Sequence, residues 1–285
     1  MSEQEPKLTP LPELPPTVDS KVVEEGNVEV LRKIRGMSRR SFVWAGIAAL
    51  GAYGGIHWLA SRLEDNGTPW PFRRVLDANE GLAMDYFGPK RLAPTFSTKE
   101  ITEPRQNGDY GIDDEGFDPS QWTLTVNNVF GKDAPVQLTL DDIKKLPEVT
   151  QITEMYCIEG WSIKVEWKGV RFVDFAEKYP PNIRQGDTPD VRKRPEDLVQ
   201  YVAMLTPNEG YYVGLDMASA LHPQTLLCYE MNGEPLSIDH GAPLRLAIPV
   251  KYGVKNLKRI GTITYTNQKP TDFWAEQGYD WYAGM

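Results

Sequence analysis

The sequence predicts an α+β fold, mixed and β-rich. Three observations point there. Tyr and Trp are frequent, at 13 and 8 residues, beside 24 Gly and 23 Pro, a composition that favours strands and turns over a helical bundle. From Gln121 onward, short runs of alternating apolar and polar residues recur between turn residues. Helical periodicity in that region is confined to short stretches between the strands.

The elements follow in order. WTLTVNNV alternates and is closed by Gly131, Lys132 and Asp133, so a strand and a turn are expected. VQLTLDDIKKLPEV reads as a strand, then a short helix capped between Thr139 and Asp142. TQITEMYC is rich in β-branched residues and forms a strand running into Cys157. IEGWS breaks the pattern. VEWKGVRFVDFAEKY is expected to be a strand turning at Lys168-Gly169 into an amphipathic helix. TLLCYEMNGEPL is a hairpin about Asn232-Gly233, and PLRLAIP a further strand.

The N-terminal part differs. Residues 1–36 are polar and lack apolar periodicity, and are expected to be a disordered tail. In 37–60, Ser38, Arg39, Arg40 and Phe42 precede an apolar run, the mark of a twin-arginine export signal. A basic flank beside an ordinary buried helix is the alternative. The run from Phe42 to Ala60 has no formally charged side chain and is long enough to span a bilayer. It lacks a small-residue cleavage site, so the signal can persist as an anchor. The basic residues before it then place the N-terminus inside and the body outside the cytoplasm. Residues 61–100 read as a linker with short helices, the pattern VLDANEGLAMDYF among them, and 101–285 as the body.

Charge and cysteine content narrow the function. The net charge of -9 argues against a general nucleic-acid binder, which needs a basic face. Two cysteines, Cys157 and Cys228, are too few for a disulfide framework; a buried free thiol at each is the plain reading. Cys157 stands where a strand ends and a glycine-containing loop begins, a usual place for a functional group. A thiolate suits a soft transition metal. Covalent catalysis with His222 or His240 as base stays open. Lys251, Lys255, Lys258 and Arg259 cluster, with Arg245 shortly before. They form either a phosphate site or a solvated basic face.

MYCIEGWS, followed by Trp167 and Gly169, and then LLCYEMNGEPLSIDHGAPLRLAIPVKYGVKNLKRI, resembles the sulfite-oxidase superfamily of molybdopterin enzymes. The resemblance spans roughly residues 100–285. CIEGWS with KYGVK looks like the bacterial periplasmic methionine-sulfoxide reductases; CYEMNGEPL and DHGAPLR look more like the sulfite oxidases. The resemblance implies the sulfite-oxidase-type fold; with the sequence ending at Met285, the C-terminal immunoglobulin-like dimerisation domain is not expected and a monomer is. It implies molybdopterin with molybdenum bound by Cys157. It implies cofactor contacts from Asn107, Thr206, His240, Arg245, Asn256 and Lys258. His240 follows the sulfite-oxidase pattern where the reductases have asparagine, and Asn256 stands where a small residue is usual. Tyr156, Glu159 and Trp161 are expected at the catalytic centre, with core packing the alternative for Tyr156 and Trp161. A carboxylate and an indole there disfavour sulfite, although Arg105 or Arg171 could supply positive charge. Two-electron oxygen-atom transfer follows, reducing a sulfoxide-like or N-oxide-like substrate outside the cytoplasm, with a membrane b-type or soluble c-type cytochrome as electron partner. Sulfite dehydrogenation and a non-catalytic membrane-tethered pterin-binding module are the alternatives.

Overall fold

The computed structural model describes residues 20–65, 67–86, 88, 91–113 and 116–285. Two units are distinct, one ending at Ser61 and one running from Arg62 to Met285.

The first unit is the helix α1, Ser20–Ala60. It begins inside the segment expected to be a disordered tail, because residues 20–36 include three Glu and four Lys or Arg, good helix formers that need no core to sustain local hydrogen bonding. The remainder of that tail and the side chains of Ser38, Arg39 and Arg40 lie outside the described residues. Ser41–Ala60 is long and apolar enough to cross a membrane, with mean hydropathy 1.3.

The second unit opens with strands β1 (Glu64–Asp65) and β2 (Thr68–Pro69), a small hairpin, and helix α2 (Trp70–Tyr86). The helical pattern expected from Val75 is therefore present and starts earlier. This stretch is no linker. Arg73 is buried and donates to the carbonyls of Ala275 (2.7 Å) and Tyr279 (3.3 Å). Farther on, Ala93 is held at both backbone polar atoms by Gln224, and the Phe96 amide donates to Ile152 O at 3.1 Å. The described residues from Arg62 to Glu100 belong to the second unit, because their backbone groups find partners there.

Two sheets build the body. One runs β4 (Val136–Leu138), β3 (Leu124–Asn127), β12 (Thr262–Thr266), β7 (Tyr201–Leu205) and β8 (Tyr212–Asp216), antiparallel except for β3 and β12. The other runs β10 (Glu234–Pro235), β9 (Leu226–Met231), β6 (Ser162–Arg171) and β5 (Glu148–Tyr156), with β11 (Arg245–Ala247) also on β9. Short helices α3 (Leu140–Lys144), α4 (Phe172–Lys178), α5 (Met217–Ala220) and α6 (Phe273–Glu276) cover the edges. Thr139 caps α3 in a reciprocal box with Asp142, as the sequence suggests.

Alternation along β9 divides the core. Leu227 and Tyr229 join the main core with residues of the first sheet and α4. Leu226 and Cys228 turn to the opposite face, against Ile163, Val165 and Trp167 of β6. That second face floors the candidate site.

Lys168-Gly169 is not a turn. β6 runs on through it to Arg171, with a bulge against β9. A Cβ on Gly169 would stand 2.1 Å from Leu227 O and 2.7 Å from Cys228 Cα, both backbone atoms. Only glycine lets β6 and β9 approach here. Replacing it should force the strands apart: Gly169→Ala is expected to cost about 3 kcal/mol, the upper range for overpacking, read as a lowered midpoint in chemical denaturation.

Candidate functional site

β5 and β6 form a hairpin in which Tyr156 pairs with Ser162. Cys157 to Trp161 make its loop. The Cys157 amide donates to Trp161 O (2.8 Å), and the Gly160 amide to Cys157 O (3.1 Å). Gly160 sits at φ 86, a left-handed conformation that glycine adopts without strain. The long pairing below and the closed loop above hold the Cys157 sulfur in one place. The residue is buried, and the Asn107 side-chain amide donates to its Sγ at 3.5 Å.

Above Cys157 lies a cavity of about 590 Å³. Of the residues expected from the sequence, Cys157, Glu159, Trp161, Asn107, His240, Arg245, Asn256 and Lys258 line it. Residues from distant parts of the chain thus meet around one thiol. Tyr156 and Thr206 are not among the lining residues. Tyr156 is the last residue of β5 and, alternating away from the cavity, donates to Glu154 at 2.7 Å. Thr206 is buried; its hydroxyl accepts from the Tyr211 amide (3.1 Å) and so positions a residue that does line the cavity. Arg105 also lines it, whereas Arg171 caps α4.

The lining residues that sequence reasoning missed are chiefly Tyr110, Tyr211, Trp274, Tyr279, Met155 and Met231. Tyr110, Trp274 and Phe273 pack ring on ring at 5.1 to 5.8 Å. Their spacing along the chain carries no periodicity, so no local pattern could reveal them.

The two ends of the cavity differ in charge. At one end the Trp161 indole donates to Glu159 at 2.9 Å, while the Arg105 guanidinium lies 4.6 Å from the Trp161 ring centroid. A carboxylate and a cation thus meet on one indole beside Cys157. At the other end the charge is positive. Arg245, 3% exposed, lies 4.6 Å from the Trp167 ring and donates to His240 O (3.0 Å) and Asn256 O (3.3 Å). Lys258 donates to Gly108 O at 2.9 Å and Asn107 O at 3.3 Å. Burial pushes the Arg245 pKa down to about 10. Burial and the Arg245 charge push Lys258 down to about 8. His240 is lowered by burial and by the same two cations, so it is held towards its neutral form.

This end fits an anionic group. Arg245 Nε and His240 Nε2 are buried with no hydrogen-bond partner, a costly state that a phosphate would relieve. Burial is the main cause of the depressed pKa values of Arg245 and Lys258, so both cations lack solvation that an anion could replace. Asn256 contributes through backbone: its side chain accepts from the Ile248 amide (2.8 Å) and donates to Tyr252 O (3.3 Å), fixing the loop whose carbonyl receives Arg245. At the thiol end, no group of three or more His, Cys, Asp or Glu placed to hold a metal occurs among the described residues. Cys157 can therefore serve as one ligand of a metal that brings its other ligands with it. A thiolate at one end and a phosphate cradle at the other match a metal carried on an organophosphate, as molybdenum is on molybdopterin.

Fold and site together define a molybdopterin-binding oxidoreductase. The model of the oxidoreductase molybdopterin-binding domain family matches residues 111–274. A protein of Azospira oryzae, provisionally named protein-methionine-sulfoxide reductase subunit YedZ1, is 37% identical over 201 residues, which cover 70% of each chain. The protein-methionine-sulfoxide reductase catalytic subunit MsrP of Campylobacter jejuni is 30% identical over 185 residues, 60% of this chain and 59% of that one. The MsrP of Gluconobacter oxydans is 28% identical over 261 residues, 87% of this chain and 77% of that one. The chain belongs to the oxidoreductase molybdopterin-binding domain family, and is a molybdenum-dependent oxidoreductase with a molybdopterin cofactor.

Proposed function

We propose that the protein reduces a sulfoxide, with methionine sulfoxide the first candidate, outside the cytoplasm. In this reading it is held to the membrane by Ser41–Ala60, acts as a monomer and takes electrons from a b-type or c-type cytochrome. The relatives' names supply the candidate substrate. The observation that carries the reading is the charge balance on Trp161. Glu159 and Arg105 both engage that indole, so the thiol end offers no surplus cation to hold sulfite. Met155, Trp161 and Ile163 give it an apolar wall, which suits a thioether product and its neutral, polar sulfoxide.

When bound, the cofactor supplies two-electron oxygen-atom exchange. Reduction of one sulfoxide consumes two electrons and two protons and releases a thioether and water. The chain's own residues anchor the cofactor at both ends and shape the pocket. The test is an assay of purified, molybdenum-loaded full chain. Methionine sulfoxide should oxidise a reduced viologen dye catalytically, and sulfite should reduce an oxidised dye far more slowly. Sulfite turnover without sulfoxide reduction would overturn the reading, with Arg105 then the residue holding the anion.

A further inference from the structure

Helix α2 has two unlike faces. Arg73, Leu76, Glu80 and Ala83 face the body: Arg73 is buried, Glu80 pairs with Lys269 at 2.7 Å, and Ala83 packs on Ala275, Trp281 and Tyr282. Phe72, Val75, Ala78, Leu82 and Tyr86 fall on the other face by helical repeat, and all are exposed, Leu82 at 68%. No charged residue of α2 shares that arc. Leu63, just before, is 87% exposed. An apolar stripe of this kind on a protein's surface marks an interaction site.

We propose that this face of α2 rests on the surface of the phospholipid bilayer that Ser41–Ala60 crosses. Three observations favour lipid over a soluble protein. The chain from Ala60 to Trp70 reaches at most roughly 35 Å, so the start of α2 stays close to the point where a retained span leaves the bilayer. The stripe is flanked by aromatic–cation pairs suited to headgroup depth: Arg74 lies 5.5 Å from the Trp70 ring and Arg91 3.8 Å from the Tyr86 ring. An apolar arc with the exposed charges of Arg74, Asp77 and Asp85 outside it is also the pattern of helices that lie in the interface plane. The proposal rests on retention of the span, and only protein of intact mass is used to test it. It does not depend on the substrate, so failure of the sulfoxide assay leaves its readout intact.

The full, cofactor-loaded chain carrying Leu82→Cys is spin-labelled and placed in liposomes of phosphatidylethanolamine and phosphatidylglycerol. Lys132→Cys, in the exposed turn after β3, is the aqueous control. Unsubstituted protein gives the blank, because Cys157 and Cys228 are buried. The label at 82 should collide readily with oxygen and several-fold less often than the control with a water-soluble nickel chelate. Adding Phe72→Glu to a Val75→Cys label should restore nickel collisions, with molybdenum content unchanged. Nickel collisions at 82 equal to those at 132 would overturn the proposal. So would shielding from both oxygen and nickel, which marks a protein surface, such as a second copy, in place of lipid.

Discussion

Cys157→Ser is expected to remove turnover while leaving the fold and much of the pterin in place. Serine is nearly isosteric, and the loop that holds position 157 is built from backbone bonds to Trp161 and Gly160, so the thermal midpoint should not move. The substitution exchanges a soft, electron-rich ligand for a hard oxygen donor. The phosphate end is made by other residues, Arg245, Lys258 and His240, and remains intact. Activity should fall by more than the roughly 10- to 100-fold that loss of an outer-shell partner costs. Asn107→Leu supplies that lesser case, because Asn107 touches the sulfur by a single hydrogen bond of 3.5 Å. Pterin content, molybdenum content and paramagnetic resonance of the one-electron-reduced centre read the two variants independently of turnover. Full activity in Cys157→Ser would refute the ligand assignment.

The hairpin presenting Cys157 was legible because β-branched residues, a strand end and a glycine fall within a few positions of one another. The phosphate cradle was legible only as a basic cluster, and the structure divides that cluster. Arg245 and Lys258 face the cavity. Lys255 instead turns inward to Asp272 at 2.5 Å and Gly214 O at 2.9 Å. No rule of spacing separates these fates, because β11 and the loop after it set each direction. Tyr156 shows the same limit on a smaller scale: adjacency to Cys157 suggests the pocket, while alternation along β5 sends the side chain to Glu154. The body status of the described residues from Arg62 to Glu100 was hidden for another reason. Their contacts are to residues such as Gln224 and Ala275, far along the chain, and depend on backbone carbonyls that carry no sequence signature. The aromatic wall of Tyr110, Tyr211 and Trp274 arises likewise from two loops and helix α6.

Arg245→Leu is expected to abolish cofactor retention. Arg245 is a buried cation whose Nε lacks a partner and whose other nitrogens tie His240 O to Asn256 O. Loss of one member of a buried charge pair costs about 2–5 kcal/mol, or roughly 30- to 4,000-fold in affinity. Molybdenum and pterin per mole after gel filtration should approach zero, and Arg245→Lys should recover part of the loss by restoring charge without the planar fork. Lys258 adds a pH dependence of definite sign. Its pKa in the folded chain is depressed to about 8 from 10.5. Below pH 8 it is charged in both folded and unfolded states, and the cost of burying the charge is fully present. Between pH 8 and 10.5 the folded chain sheds that proton while the unfolded chain keeps it, so this group makes the apoprotein more stable as pH rises. A bound phosphate opposes this, because it favours the charged amine. The apoprotein's affinity for a phosphate monoester, mainly a dianion from about pH 7 upward, should therefore decline as the pH rises through about 8. Calorimetric titration with a phosphate monoester measures it. In Lys258→Met the decline above pH 8 should vanish, leaving weaker, flatter binding. An equally steep decline in that variant would show that another group reads the anion.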